Sequence, residues 1–174
     1  MTTTTNIQRP AGTAPALQKH PLEYVEVRVG DMAVAKGSGT LCASGIGSCV
    51  IVTLYDPTRR IGALAHALLP TSPGLRDGKS SAGDAKYVDA AIDAMLERMS
   101  SYGVKKKYLE AKIVGGANMF AAFQSNIGAD NVAAARAKLK AEGIELVGEV
   151  VGGNIGRSVE FCVASGLVTA KTKF

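Results

Sequence analysis

Cys49 and His66 are the pair of residues whose types and spacing could carry chemistry. A thiolate is a strong nucleophile, but a free cysteine titrates near ~8.5, so little of it is ionised at neutral pH. An adjacent imidazole can take the thiol proton, stabilise the thiolate, and return the proton to a departing amine. Cys49-Val50-Ile51-Val52-Thr53-Leu54-Tyr55 is β-branched and apolar, and Ile61 to Leu69 is apolar again until Pro70 stops it. Between them, Asp56-Pro57-Thr58-Arg59-Arg60 has turn chemistry, because proline presets φ and the aspartate side chain can bond the backbone two residues on. Two such runs predict a β-hairpin. Centred on Thr58, that hairpin sets Cys49 opposite or diagonal to His66, with Cβ atoms roughly 4.5–8 Å apart. A slip of one residue would turn every side chain to the other face. Gly45-Ile46-Gly47-Ser48 leads directly into the thiol, and glycines let backbone N–H groups converge on one point. Gly47 and Ser48 are therefore candidate oxyanion donors, each worth ~2.7–4 kcal/mol of barrier. The same residues admit a plainer reading, since cysteines usually pack and an apolar-run histidine is often a hydrogen-bonded core residue. Cys42 and Cys162, inside strand-like runs, are read as packing thiols.

The elements that must position this pair follow from periodicity. Tyr24 to Val29 alternates apolar and polar as a half-buried strand does, and Met32 to Lys36 reads as another strand after the Gly30-Asp31 turn. Thr71 to Gly83 is a polar loop long enough for a functional role. Asp84 can cap a helix in which Val88, Ala91, Ile92, Met95, Leu96 and Met99 form one stripe, with Gly103 ending it. Tyr108 to Val114 predicts a strand, Asp130 to Glu142 a second helix, and three more strands lie over Ile144 to Val151, Ser158 to Val163 and Leu167 to Lys171. The glycine-rich stretches at 115–120 and 152–157 are read mainly as structural turns. Strands outnumber helices and hairpins stand at both ends, so the fold class is α+β with a mixed or antiparallel sheet.

Composition narrows the function. The chain has 174 residues, enough for one domain with a sizeable core. Residues 1–21, rich in Thr, Ala and Pro, are read as a disordered tail, and 22–174 as a single catalytic domain. No segment has the apolar length of a signal peptide or membrane helix, which predicts a cytoplasmic protein with reduced thiols. The net charge of +5 suits a solvated surface or attraction to an acidic partner. Nucleic acid is a poor candidate: aromatics are scarce, and Lys105-Lys106-Lys107 follows a helix end where cations are favoured anyway. Three cysteines without a C-x-x-C pair, with His20 in the tail, do not make a metal site.

Gly45-Ile46-Gly47-Ser48-Cys49-Val50, Asp56-Pro57, Ala65-His66 and Leu69-Pro70 resemble the signature of the CheD family, which carries G-L-G-S-C-V and A-H-x-x-L-P elements at this separation. Lys112 with Gly115-Gly116-Ala117-Asn118-Met119-Phe120 is similar to its K-x-x-G-G-A-x-M-F. Asn126-Ile127-Gly128, Asn131-Val132, Gly148-Glu149 and Gly152-Gly153-Asn154-Ile155-Gly156-Arg157 follow the same pattern. The resemblance runs from about Val25 to Lys171. It implies a chemoreceptor glutamine deamidase with a β-sandwich-like core flanked by two to three helices, similar to bacterial toxin deamidases. Cys49 would attack the side-chain carboxamide of a receptor glutamine, His66 would protonate the leaving ammonia, and no cofactor would be needed. The expected partners are methyl-accepting chemoreceptors and a CheC-type phosphatase. The family commonly places a hydroxyl five or six residues before the cysteine to orient the histidine. Six before is Ala43 here and five before is Ser44, so Ser44 is the candidate third member. Two alternatives accompany this expectation: a family member without turnover acting as a receptor or phosphatase adaptor, and hydrolysis of methyl esters at the same receptor sites.

Overall fold

The computed structural model describes residues 2–7, 24–73, 85–119 and 125–173. Its strands are β1 (Thr2–Ile7), β2 (Tyr24–Glu26), β3 (Met32–Lys36), β4 (Thr40–Ile46), β5 (Val50–Asp56), β6 (Ile61–Ala67), β7 (Glu110–Gly115), β8 (Glu145–Val151), β9 (Arg157–Cys162) and β10 (Leu167–Lys173). Two helices, α1 (Val88–Ser100) and α2 (Ile127–Ala141), and a short 3-10 turn at Lys106–Tyr108 complete the described elements. One sheet has the order β1-β10-β9-β4-β2 and the other β3-β6-β5-β7-β8, mixing parallel and antiparallel pairs. The α+β expectation holds.

The layers follow from which faces are apolar. On β5, Ile51 and Tyr55 face the first sheet and join Leu41, Ala43, Val159, Phe161 and Val168 in one core. Val50, Val52 and Leu54 face the opposite way and pack with Ile92, Met95, Leu139 and Ile144 in a second core under the helices. Every residue of β5 and β6 is buried, which is why both read as continuous apolar runs and not as alternating ones. The sheets approach closely: a Cβ on Gly62 would stand 2.7 Å from the Phe161 ring. The predicted stripe of α1 is its buried face. Helix α2 starts earlier than predicted, because the Asn126 side chain accepts from Ala129 N at 3.0 Å and caps it. The β5–β6 turn forms as expected, with Asp56 Oδ1 accepting from Thr58 N and Arg59 N.

Part of the expected tail is structured. Thr2–Ile7 pairs antiparallel with β10, the β-branched threonines suiting an edge strand and Ile7 packing over Gly148. Lys112, on β7 between the sheets, donates from Nζ to Ile7 O at 3.0 Å and Gly166 O at 2.6 Å. The rest of that tail, Asp84, most of the 71–83 loop and Phe120 lie outside the described residues.

Candidate active site

The hairpin register places Ile51 directly opposite His66 and Val50 opposite Ala67. Cys49 immediately precedes β5, two residues before Ile51, the residue paired with His66, so the hairpin brings the two positions to the same end of the strands. Both sequence-predicted residues thus come to one end of the sandwich. The thiol stands at the rim, 8% exposed, and the imidazole behind it, 1% exposed. No hydrogen bond joins them in this state. His66 Nε2 is buried and has no partner among the described residues, while Nδ1 lies 3.3 Å from Val27 O. With Nδ1–H donating to that carbonyl, Nε2 is left as the free basic nitrogen.

The segment after β2 holds His66 through its backbone too. Gly30 N donates to His66 O at 2.8 Å and His66 N to Asp31 O at 3.0 Å. Ser44 does not orient the imidazole. Its Oγ donates to Glu26 Oε1 at 3.1 Å on the exposed face, opposite the core-facing Ala43 as strand alternation dictates. The histidine-orienting acceptor is a backbone carbonyl, which no side-chain pattern could reveal.

The turn before the thiol is held by its carbonyls. Gly47 O accepts from Ala117 N at 2.9 Å and Cys49 O from Gly116 N at 2.8 Å. Ser48 O accepts from Asn131 Nδ2 at 2.9 Å. With these carbonyls turned toward β7 and α2, the N–H groups of Gly47 and Ser48 have no partner among the described residues and stay available. The glycines at 115–116 therefore brace the turn that carries Cys49 as well as reversing the chain. Ser48 borders a cavity of about 190 Å³ whose walls include Ala117, Asn118, Met119 and Ile127.

Asn131 is the residue the sequence reading left without a role. It is fully buried on α2, and its Nδ2 also donates to Leu68 O at 3.0 Å, just beyond β6. One amide ties the turn carrying Cys49 to the strand carrying His66. Asn131→Ala is expected to lose both bonds and leave two carbonyls unpaired, costing roughly 2–4 kcal/mol in urea denaturation. Unchanged stability would contradict that bracing role. A buried polar residue inside an otherwise apolar helical stripe was the available signal.

Burial shifts both reactive groups toward neutrality. It pushes the Cys49 thiol up, offset in part by its own backbone N–H, and it pulls the His66 imidazole down against the opposing effect of Val27 O. The resting pair is a thiol beside a neutral imidazole. Among the described residues no cluster of three or more His, Cys, Asp or Glu side chains could hold a metal ion, and no helix is long and apolar enough to cross a membrane.

Comparison with known proteins agrees with this architecture. Residues 68–172 match the family described as CheD chemotactic sensory transduction, a range that begins just after His66. The chemoreceptor glutamine deamidase CheD of Thermotoga maritima is 43% identical over 140 residues, covering 80% of this chain and 86% of that protein. Probable chemoreceptor glutamine deamidases of Thermococcus kodakarensis and Geobacter metallireducens are 43% and 40% identical, over 83% and 86% of this chain and 89% and 93% of theirs. A crystal structure of a Neisseria meningitidis protein of the DUF152 family superposes with a TM-score of 0.51 at 14% identity, over 87% of this chain and 75% of that one, and shares the fold. By family match and by identity over most of its length, this chain belongs to the CheD family.

Proposed function

We propose that the chain deamidates specific glutamines to glutamates on the cytoplasmic helices of chemoreceptors, with Cys49 as nucleophile and His66 as proton carrier. The reading rests on the hairpin register, which sets Cys49 two residues from the residue opposite His66, and on an imidazole whose Nε2 has no partner among the described residues. Because burial favours the neutral pair, the proton moves when substrate arrives, not beforehand. His66 Nε2 takes the thiol proton as Sγ bonds to the carboxamide carbon. The oxyanion is met by the Gly47 and Ser48 N–H groups. Collapse breaks the C–N bond, and the imidazolium gives its proton to the amine, which leaves as ammonia. Water, deprotonated by the same imidazole, then attacks the thioester; the C–S bond breaks, leaving a carboxylate and regenerating the thiol. Neither a metal nor an organic cofactor enters these steps.

The protein would work in the cytoplasm, where the receptor helices lie, with a CheC-type phosphatase as a second partner. Mass spectrometry of a co-expressed receptor tests the reading: each Gln-to-Glu conversion adds about one dalton, the exchange of amide for acid that acyl transfer to water produces. A receptor left unconverted by the wild-type protein yet still bound by it would favour the adaptor alternative.

The direction of the two pKa shifts fixes the expected pH profile. Catalysis needs neutral His66 as base, so kcat/KM should fall on the acid side only below the ordinary imidazole range. On the alkaline side, loss of the thiol proton removes the acid for the leaving group, and that limb should lie above the ordinary thiol range. A broad plateau through neutrality results. A narrow optimum with its acid limb above pH ~7 would contradict it. His66 also links folding to pH. Its contribution to stability is complete above the unfolded imidazole pKa and is lost as pH falls from there through the lower folded value.

A further inference from the structure

Arg157, the first residue of β9, is a charged side chain near this site whose position the mechanism leaves unexplained. It pairs with Ile46 on β4, and Ile46, Val159 and Phe161 all face the inter-sheet core, so alternation aims Arg157 at the same interior. The end of the sandwich is also the right one. Ile46 opens the turn that carries Cys49, and the Gly152–Gly156 loop leading to Arg157 is tied to that turn's neighbours. Gly152 N donates to Gly115 O at 2.9 Å and Asn118 N to Gly153 O at 2.7 Å. Two of its guanidinium nitrogens, Nε and Nη1, are buried, and among the described residues neither has a hydrogen-bond partner. They lie on different edges of the guanidinium plane, so each edge has a vacant donor. Among the described residues no carboxylate pairs with the guanidinium. Burial alone acts on it, pulling its pKa down from the usual guanidinium value.

The side chain as a whole is only half-buried, but its two interior donors lack the partners that buried polar groups ordinarily have. A glycine-flanked cation with idle donors, at the mouth of a site that takes protein substrates, is the arrangement that receives an anion. We propose that Arg157 is a substrate-binding residue that pairs with a carboxylate of the substrate protein close to the target glutamine, and so selects glutamines in acidic surroundings. Guanidinium–carboxylate pairing is strong and geometrically selective when water is excluded. The proposal rests on the deamidase reading for its substrate, a glutamine-bearing receptor segment.

The test separates binding from turnover. Affinity for a purified chemoreceptor cytoplasmic fragment is measured by calorimetry in the Cys49→Ala background, with and without Arg157→Gln. It is then repeated with a fragment whose Asp and Glu residues beside the target glutamines are changed to Asn and Gln. Arg157→Gln is expected to weaken binding of the unmodified fragment by about tenfold to a hundredfold. On the neutralised fragment it should change nothing, while Arg157→Lys should recover part of the loss. Removing an unpaired, half-buried charge should also leave the melting temperature equal or higher, whereas loss of a structural arginine would lower it. The proposal is overturned by no binding, by binding that ignores Arg157, by equal losses on both fragments, or by a lowered melting temperature. Ammonia release by the wild-type protein is scored separately. A fragment that binds as described but is never converted would sink the deamidase reading and leave the role of Arg157 standing.

Discussion

Cys49→Ala is expected to abolish ammonia release from a chemoreceptor substrate, by at least about a thousandfold, while the protein stays folded. Without the sulfur no thioester forms, and loss of a covalent nucleophile removes the whole pathway instead of slowing one step. The stability cost should be small, about 1 kcal/mol, because a single heavy atom is deleted at a rim position that keeps some exposure. His66 calls for two replacements. His66→Asn keeps a donor where Nδ1 meets Val27 O but has no base, and His66→Gln carries an amide nearer the Nε2 position. Both should lose roughly a hundredfold to ten-thousandfold, the usual worth of a positioned acid–base group. Substantial activity in His66→Asn would mean that the imidazole is only a packing residue. Full activity in Cys49→Ala would end the mechanism.

Gly115→Ala should damage stability and turnover together. Gly115 has φ +117°, a region that costs residues with a Cβ ~1–3 kcal/mol. A Cβ there would also stand 2.3 Å from Cys49 O and 2.8 Å from Ile46 Cγ2. Backbone cannot swing away as a long side chain can, so the nucleophile turn must shift. The expected loss is about 2–4 kcal/mol in urea denaturation, combining strain and clash. At a temperature where the variant remains folded, kcat/KM should drop by about a hundredfold, as displacement by an ångström near the chemistry does. Gly143→Ala is the control. It too has positive φ, but no atom lies within 4 Å of its would-be Cβ, so it should lose stability by the conformational term alone and keep its rate. Equal kinetic loss in both would show that the contact with Cys49 O is unimportant.

The parts of this molecule legible from sequence are those written in side-chain type and period. The α1 stripe, the Asp56-Pro57 turn and the apolar runs of β5 and β6 read correctly. The register differed slightly. The turn spans Pro57 to Arg60, so its centre falls after Thr58 and Ile51 takes the place opposite His66. β1 was missed because its sequence, four threonines, an asparagine and one isoleucine, carries almost no apolar signal. Ser44 points outward as plain alternation with the core-facing Ala43 requires, so the hydroxyl that the resemblance called for does not reach the imidazole. The Val27 carbonyl and the two bonds of Asn131 were beyond reach for another reason. Backbone acceptors have no letter of their own, and the residues that meet them come from segments far apart in the chain.

The ammonium of Lys112 gives the amino-terminal strand an importance out of proportion to its composition. Its charge is tolerated between the sheets because two carbonyls face it, and one of them belongs to Ile7. Peeling β1 from the sandwich would strand that cation with half its solvation and lift the Ile7 plug from Gly148 in the same movement. Trimming or tagging the first few residues therefore reaches the interior directly, however dispensable a run of threonines looks on paper.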